Sequence, residues 1–210
     1  MTLRVLFTGE GTSDDGLVPH IESVAADAGI QALVTSPDLG RLGLANCHAV
    51  PDKLRALRQL GGGYDLVIVH RDADRETTEA RRREIAAAVE AEWPDHPHIA
   101  VVPVRALEAW LLLDEQAIRR VAENPNGKMP LQLPRGTAAE RIADPKKLLQ
   151  ETLAEASGAH GRRMATFRSR FPRHRHKLLE SLDPFGPVNR LPSWQNFISD
   201  LKAALRSSAG

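Results

Sequence analysis

The fold is decided by the stretch LVIVHRDAD at residues 66–74, an apolar strand that runs directly into a pair of aspartates. Its first part, Leu66–His70, is a near-continuous apolar run, which is typical of a strand buried on both faces of a parallel sheet. Asp72 and Asp74 are two positions apart, so on an extended backbone their side chains point to the same side. The stretch therefore predicts a central strand that delivers two carboxylates to one place.

Strands and helices alternate on both sides of that stretch. The hydrophobic patterns predict further strands at residues 3–8, 30–35 and 99–104, and helices at 16–28, 52–60 and 75–93. Strands separated by helices of this length pair in parallel through right-handed crossovers. Residues 1–115 are therefore predicted to form an α/β core, a parallel sheet of about four strands flanked by helices.

Residues 116–210 follow a different pattern, in which no convincing strand occurs. A Pro-, Gly- and Asn-rich stretch at 124–136 predicts a loop. The helices predicted beyond it span residues 145–156, 161–171, 173–182 and 193–206. We expect this helical C-terminal region to pack on the α/β core rather than to fold alone.

The composition mainly excludes classes of protein. The chain has 210 residues, 42% of them hydrophobic, and its 28 basic and 27 acidic side chains nearly balance, so net charge indicates no partner. No apolar run approaches the roughly 20 residues of a membrane helix, and no leader precedes the first strand, so we expect a cytoplasmic protein without a membrane partner. The single cysteine, Cys47, excludes an internal disulfide and a cysteine-type zinc site, and we interpret it as a buried or incidental thiol.

Three short acidic clusters follow predicted strands. They contain, in chain order, Glu10 and Asp14, then Asp72 and Asp74, and finally Glu108 followed by Asp114. The carboxyl ends of parallel strands meet at one crevice, which is the usual ligand site of this architecture. Carboxylates crowded there repel one another and need a counter-ion, and an all-oxygen set favours a hard divalent cation such as Mg²⁺ or Mn²⁺.

Each cluster also has a purely structural interpretation. Ser13, Asp14 and Asp74 are good helix N-caps. Glu108 opens an apolar helix, where a carboxylate stabilises the positive end of the helix dipole. The sequence therefore explains Glu108 equally well as a helix-stabilising residue and as a metal ligand. The combination of the three clusters favours a metal site.

The motifs Glu10-Gly11-x-Ser13-Asp14 and Asp72-x-Asp74 resemble those of the TOPRIM catalytic domain of topoisomerases, primases and overcoming-lysogenization-defect (OLD) nucleases. The chain more closely resembles an uncharacterised TOPRIM-like bacterial family encoded beside OLD-type defence ATPases. The Glu-x-Trp-Leu motif of that family matches EAWL at residues 108–111, and the DPKK stretch at 144–147 is also similar. Asp14 departs from the family, which more often has Glu there, and this shortens the reach of the carboxylate by one methylene.

The resemblance implies a role for each acid. In TOPRIM enzymes the residue matched by Glu10 is a metal ligand or a general acid or base, and the pair matched by Asp72 and Asp74 holds one or two Mg²⁺ ions against a phosphodiester. These three residues are the implied catalytic set, and Asp14 and Glu108 would complete the metal ligands. Two such ions about 4 Å apart polarise the phosphoryl oxygen, activate water and stabilise the leaving oxygen.

A run of basic residues without any acid lies between residues 160 and 177. Its cations are Arg162, Arg163, Arg168, Arg170, Arg173, Arg175 and Lys177. Beside a carboxylate crevice, such a run is a candidate surface for holding the phosphates of a nucleic acid. A solvated or partner-facing helix is the alternative. Phe167 and Phe171 within the run are four positions apart, which favours core packing over base stacking.

The resemblance and the residues together predict a Mg²⁺-dependent (or Mn²⁺-dependent) TOPRIM-like nuclease acting on DNA or RNA, with DNA the favoured substrate. The predicted role is that of an effector of anti-phage defence or DNA repair. The alternative is a non-catalytic TOPRIM-like module that binds nucleotide, nucleic acid or a partner ATPase. The feature that distinguishes the enzyme from the non-catalytic module is a complete set of acids. Glu10, Asp72, Asp74 and Glu108 are all present, which favours the enzyme. An ATPase is the expected protein partner in either case.

Overall fold

A four-stranded sheet forms the centre of the molecule. The computed structural model describes residues 2–43 and 49–209. Its strands are β1 (Thr2–Thr8), β2 (Gln31–Thr35), β3 (Leu66–His70) and β4 (His98–Val101). They pair in parallel in the order β2-β1-β3-β4. The predicted α/β fold with a four-stranded parallel sheet is confirmed, and β3 has the bounds expected from its sequence.

Helices flank the sheet and fill the C-terminal half, as predicted. Within the described residues the α-helices are α1 (Val18–Asp27), α2 (Val50–Gln59), α3 (Thr78–Glu92), α4 (Glu108–Leu111), α5 (Glu115–Val121), α6 (Pro145–Ser157), α7 (Gly161–Ser169), α8 (Phe171–Glu180) and α9 (Pro192–Ala209). Short 3₁₀ helices lie at Thr12–Leu17, Gly136–Arg141 and Pro187–Arg190. None of the helices in the described residues is long and apolar enough to cross a membrane. Cys47 lies outside the described residues, so its predicted environment stays a prediction.

Local sequence explains the bounds of the helix that begins beside the cleft described below. Asp144 is the N-cap of α6, because its Oδ1 accepts a hydrogen bond from the backbone N–H of Lys147 at 2.9 Å. Pro145 occupies the first turn, where a backbone N–H has no partner within the helix, so the missing N–H of proline costs no hydrogen bond. Gly158 ends the helix in the left-handed conformation, with φ of 62°.

The sheet is covered on both faces by hydrophobic cores. Along β1, Leu3, Val5 and Phe7 pack into one cluster and Leu6 into the other, as the two-residue repeat of a strand requires. The cluster at Leu6 lies under α2 and α3. The larger cluster contains residues of α1 and also of the C-terminal helices, including Trp194 of α9. The helical region therefore shares a continuous core with the sheet, while a boundary at residue 115 stays a prediction.

The strand order places a crevice between β1 and β3. The chain passes from β1 to β2 on one side, and then to β3 on the other side of β1. In open α/β sheets the ligand site lies outside the carboxyl ends of the strands at such a reversal. Glu10 and Asp14 follow β1, whereas Asp72 and Asp74 follow β3. Two of the three acidic clusters therefore lie at the switch point.

Candidate functional site

A cleft of about 870 Å³ opens at this switch point. Its acidic lining residues include all five predicted site acids, namely Glu10, Asp14, Asp72, Asp74 and Glu108. The opposite wall comes from the C-terminal region, through residues 143–146 at the start of α6 and Phe171, Pro172 and Arg175 of α8. The structure thus brings the predicted acids together, and it adds a wall that the acidic motifs alone did not indicate.

Asp14 is buried, and both of its carboxylate oxygens have partners. Oδ2 accepts hydrogen bonds from the backbone N–H groups of Glu10 at 2.9 Å and Gly11 at 3.1 Å. Oδ1 lies 2.9 Å from Nη1 of Arg175. Burial alone would raise the pKa of Asp14, but His70, Arg175 and the Gly11 N–H together hold it below its usual value.

The loop that carries Asp14 requires a glycine. A Cβ atom at Gly9 would lie 2.7 Å from Cβ and 2.8 Å from Oδ2 of Asp14, well inside van der Waals contact. Gly9 therefore leaves the space into which the Asp14 side chain folds. This close approach accounts for the glycine between β1 and Glu10.

Arg175 reaches from α8 into the cleft and pairs with two acids. Its Nε donates to Oε1 of Glu108 at 2.8 Å, and its Nη1 contacts Asp14 and donates to Oγ of Ser13 at 2.8 Å. The Arg175 side chain is only 9% exposed. One guanidinium is thus shared by Asp14 and Glu108 and compensates part of their combined negative charge. In this position Arg175 does not belong to an exposed phosphate-holding surface, in contrast to the sequence prediction.

Asp72 has a different environment from Asp14. Its Oδ1 accepts a hydrogen bond from the backbone N–H of Leu107 at 2.9 Å and lies 3.7 Å from Nε2 of His70. Burial raises the pKa of Asp72 to about 7, and the negative charges of Glu10 and Glu108 add to this rise while His70 opposes it. The carboxylate form of Asp72 is therefore less stable than that of an exposed aspartate.

Glu10 and Asp74 are the exposed acids of the cleft, with side chains 43% and 60% accessible. Oε1 of Glu10 accepts a hydrogen bond from the backbone N–H of Asp72 at 3.2 Å, which links the loops after β1 and β3. Oδ2 of Asp74 lies 3.7 Å from Nη2 of Arg81. Both side chains are accessible to solvent in the cleft.

Backbone geometry fixes the position of Asp74. Its φ is 54°, in the left-handed region that residues other than glycine rarely adopt. The Asp74 N–H donates to the Arg105 carbonyl at 2.8 Å, and its carbonyl accepts from Nη1 of Arg105 at 3.0 Å. Helix α3 is capped by Thr77, whose side chain accepts from the N–H of Ala80. The helix-cap explanation of Asp74 is therefore wrong.

His70 is a buried site residue that sequence reasoning did not single out. Its Nδ1 lies 3.1 Å from the carbonyl oxygen of Val101, and its Nε2 lies 3.8 Å from Oδ2 of Asp14 and 3.7 Å from Oδ1 of Asp72. It stands between the first two acidic clusters. The signal available in the sequence was a polar residue at the end of an otherwise apolar strand, and the structure shows that this whole strand is buried.

Another acid noted in the sequence has a structural role. The side chain of Asp114 accepts a hydrogen bond from the N–H of Ala117 at 2.9 Å, which makes it the N-cap of α5, a helix that the sequence patterns did not predict. In the DPKK stretch, by contrast, Asp144, Pro145 and Lys146 line the cleft.

The remaining cations of the basic run are exposed. They are Arg162, Arg163, Arg168, Arg170, Arg173 and Lys177. They lie along α7 and α8, and Phe171 and Pro172 at the start of α8 line the cleft. The aromatic side chains of the run pack inward: Phe171 is buried, and Phe167 stacks on His174 with ring centroids 4.2 Å apart.

The donor set suits a hard divalent cation, although not as a ready-made cage. Within residues 2–43 and 49–209, no three His, Cys, Asp or Glu side chains are already arranged to hold an ion. Glu10 and Asp74 are exposed in the same cleft as Asp72. The negative charge of Glu10 adds to burial in raising the pKa of Asp72, and a bound cation would oppose that rise. Three carboxylates of this kind fit Mg²⁺ or Mn²⁺.

No family model matches the chain, and no curated protein or solved structure matches it either. The TOPRIM resemblance therefore rests on the motifs quoted above and stays a prediction.

Proposed function

We propose that this protein is a Mg²⁺-dependent TOPRIM-like nuclease that hydrolyses phosphodiester bonds in DNA or RNA, with DNA the favoured substrate. The observation that carries the proposal is the convergence of Glu10, Asp72 and Asp74 at the switch point of the sheet, in a cleft of about 870 Å³. Arg175 pairs with Asp14 and Glu108 at 2.8–2.9 Å. The other three acids have more distant basic neighbours, at 3.7 to 3.9 Å, and are placed to attract a further cation.

Each cleft residue has a task in this proposal. Glu10, Asp72 and Asp74 would hold the ion, which when bound supplies polarisation of a phosphoryl oxygen and activation of water. Glu10 is exposed at the cleft mouth and within reach of solvent, so it is placed to accept a proton from the attacking water. Arg105 and Lys146 line the same cleft and offer positive charge to the substrate phosphates.

The exposed cations of α7 and α8 would hold the nucleic acid backbone beyond the cleft. Contacts of this kind supply affinity without sequence preference. A cytoplasmic effector role in anti-phage defence or DNA repair, with an ATPase as partner, is part of the proposal and is supported by the motif resemblance.

A non-catalytic TOPRIM-like module is the second candidate, and one observation favours it. Arg175 already pairs with two of the five acids, so the cleft needs less added positive charge than five unpaired carboxylates would. In that case the cleft would bind nucleotide, nucleic acid or an ATPase partner without cleaving it.

Exchange of Asp72 for Asn distinguishes the two candidates. Mg²⁺ or Mn²⁺ should raise the melting temperature of the wild-type protein as concentration increases, because the ion binds only the folded state. Asp72→Asn keeps the acceptor for the Leu107 N–H but removes the ligand charge. It should abolish most of the metal-induced rise and lower nuclease activity by on the order of 100-fold or more. Thermal melts and cleavage of labelled DNA measure both effects.

Asp27→Asn is the matched control, since Asp27 is an exposed carboxylate paired with Lys202 outside the cleft. It should leave both the metal response and cleavage unchanged. Full metal-dependent cleavage by Asp72→Asn would refute the mechanism. A folded wild-type protein that neither responds to metal nor cleaves DNA or RNA would support the non-catalytic module instead.

A further inference from the structure

Two acids of the cleft are already bound to a cation that the chain itself provides. Arg175 contacts Oδ1 of Asp14 through Nη1 at 2.9 Å and Oε1 of Glu108 through Nε at 2.8 Å. The other oxygen of Asp14 accepts two backbone hydrogen bonds. All three side chains are buried, so water does not compete for these contacts.

Arg175 is also held in place by the packing of its helix. Helix α8 lies so close to the 3₁₀ helix Thr12–Leu17 that a Cβ atom on Gly16 would be 3.0 Å from the Leu179 side chain. Nε2 of His20 lies 2.6 Å from the carbonyl oxygen of Leu179 and ties α1 to the same part of α8. Withdrawal of the guanidinium would require this docked helix to move.

We propose that Arg175 takes the place of a second divalent ion, so that the site binds a single ion through Glu10, Asp72 and Asp74. This inference rests on the proposed function and deepens it, because phosphodiester-cleaving sites use either one ion or two. A second ion at Asp14 and Glu108 would have to displace a buried guanidinium and leave it unpaired, which is strongly unfavourable.

The number of bound ions tests the inference directly. Equilibrium dialysis against saturating Mn²⁺, followed by metal analysis, gives the ions bound per chain. Asp72→Asn, measured alongside, removes the central ligand and corrects for ions held at other surface carboxylates. The wild-type protein should bind one more Mn²⁺ per chain than Asp72→Asn.

Two substitutions of Arg175 supply matched variants. Arg175→Met keeps an extended side chain but removes its charge, so Asp14 and Glu108 should accept an ion and the variant should bind one more Mn²⁺ per chain than the wild-type protein. Arg175→Lys keeps the charge and should bind the same number of ions as the wild-type protein. Circular dichroism establishes that each variant is folded, and the wild-type count is decisive even if Arg175→Met does not fold.

The outcomes separate this inference from the function on which it rests. Two Asp72-dependent ions in the wild-type protein would overturn the inference and leave metal-dependent cleavage standing. A total Mn²⁺ count in folded Arg175→Met that equals the wild-type total would also overturn it, because Arg175 would then not limit the number of ions. No Asp72-dependent Mn²⁺ in the wild-type protein would overturn the proposed function, and the inference with it.

Discussion

Asp14 and Asp72 are the same residue type in one cleft, yet their pKa values move in opposite directions. Burial raises the pKa of the Asp14 carboxyl, but His70, Arg175 and the Gly11 N–H outweigh burial and lower it. The Asp72 carboxylate is largely buried beside Glu10 and Glu108, and its pKa rises to about 7 although His70 opposes the rise. His70 acts on both acids and Arg175 contacts only Asp14 of the two, so the guanidinium decides which of them is stabilised as a carboxylate.

The pKa of Asp72 predicts how stability changes with pH in the absence of metal. A carboxyl group whose pKa is higher in the folded than in the unfolded state stabilises the protein fully below pH 4, and this contribution is lost as pH rises towards 7. Asp72→Asn imitates the protonated form at every pH. It should therefore be more stable than wild type at pH 8, by on the order of 4 kcal/mol for a pKa that rises from 3.8 to about 7, given about 1.4 kcal/mol per pKa unit.

Urea unfolding with EDTA present, at pH 5, 6.5 and 8, measures this difference in the free energy of unfolding. The stabilisation of Asp72→Asn over wild type should be largest at pH 8 and smallest at pH 5. Asp27→Asn, which changes an exposed ion pair, should show no such trend. A stability difference for Asp72→Asn that did not change with pH would contradict the raised pKa.

At the scale of elements, helix α8 has two different faces. Its buried residues are Phe171, His174, Arg175, Leu178 and Leu179, and this spacing is that of the core-facing stripe of a helix. Arg175 lies on that stripe, whereas Arg173 and Lys177 lie on the exposed face. The helical spacing was therefore a signal in the sequence that separates Arg175 from the rest of the basic run.

The exposed face of α7 and α8 carries a prediction about nucleic acid binding. Changing Arg168, Arg170 and Arg173 together to Gln should weaken DNA binding for all sequences. The salt dependence of binding should fall by about one unit of slope for each phosphate that the variant no longer neutralises. Fluorescence anisotropy at several salt concentrations measures both quantities.

A charge-matched control uses three exposed arginines elsewhere, Arg83, Arg120 and Arg190. The triple change of these residues to Gln alters net charge equally and should affect binding much less. Equal losses of affinity in the two triple variants would mean that net charge, rather than α7 and α8, attracts the nucleic acid. Unchanged binding in the first variant would assign this face to solvent or to a protein partner.

At the scale of the whole molecule, the helical region completes both the core and the cleft. Trp194, Phe197, Leu201 and Leu205 of α9 belong to the same hydrophobic cluster as the sheet residues. Residues of α6 and α8 form one wall of the cleft. Neither the sheet nor the acidic site is therefore complete without residues from the second half of the chain.

This shared core predicts that the fragment 1–115 does not fold alone. Without α9, one face of the sheet would expose its apolar side chains to water, and burial of such side chains contributes about 1.5–3 kcal/mol each. The fragment should lack a cooperative thermal transition and should bind the hydrophobic dye ANS. Near-UV circular dichroism and dye fluorescence measure both properties.

The control for the fragment is the full chain cut within the loop near Lys128, which is exposed. This nicked protein contains both halves and should keep a cooperative transition. A fragment 1–115 that folded cooperatively would contradict a shared core and would support an independent α/β domain.

The fold was predictable because its signals are local. Apolar runs such as Leu66–His70, and the lengths of the helices between them, require only neighbours along the chain, and they indicated a parallel sheet of about four strands. The convergence of Glu10, Asp14, Asp72, Asp74 and Glu108 followed from the same reasoning, because the carboxyl ends of parallel strands meet at one edge. Metal binding and cleavage by these acids stay predictions.

The electrostatic state of the site was decided by the tertiary structure alone. Arg175 contacts Ser13, which is 162 positions away in the sequence, and on that contact depends which acids the guanidinium compensates. The pKa of Asp72 is set by burial and by the charges of neighbouring side chains, and both arise only when distant segments pack together. The sequence by itself determined where the acids lie. The packing of α8 against the loop after β1 decided which of them pair with Arg175, because electrostatic interactions depend on distance through space and on exclusion of water.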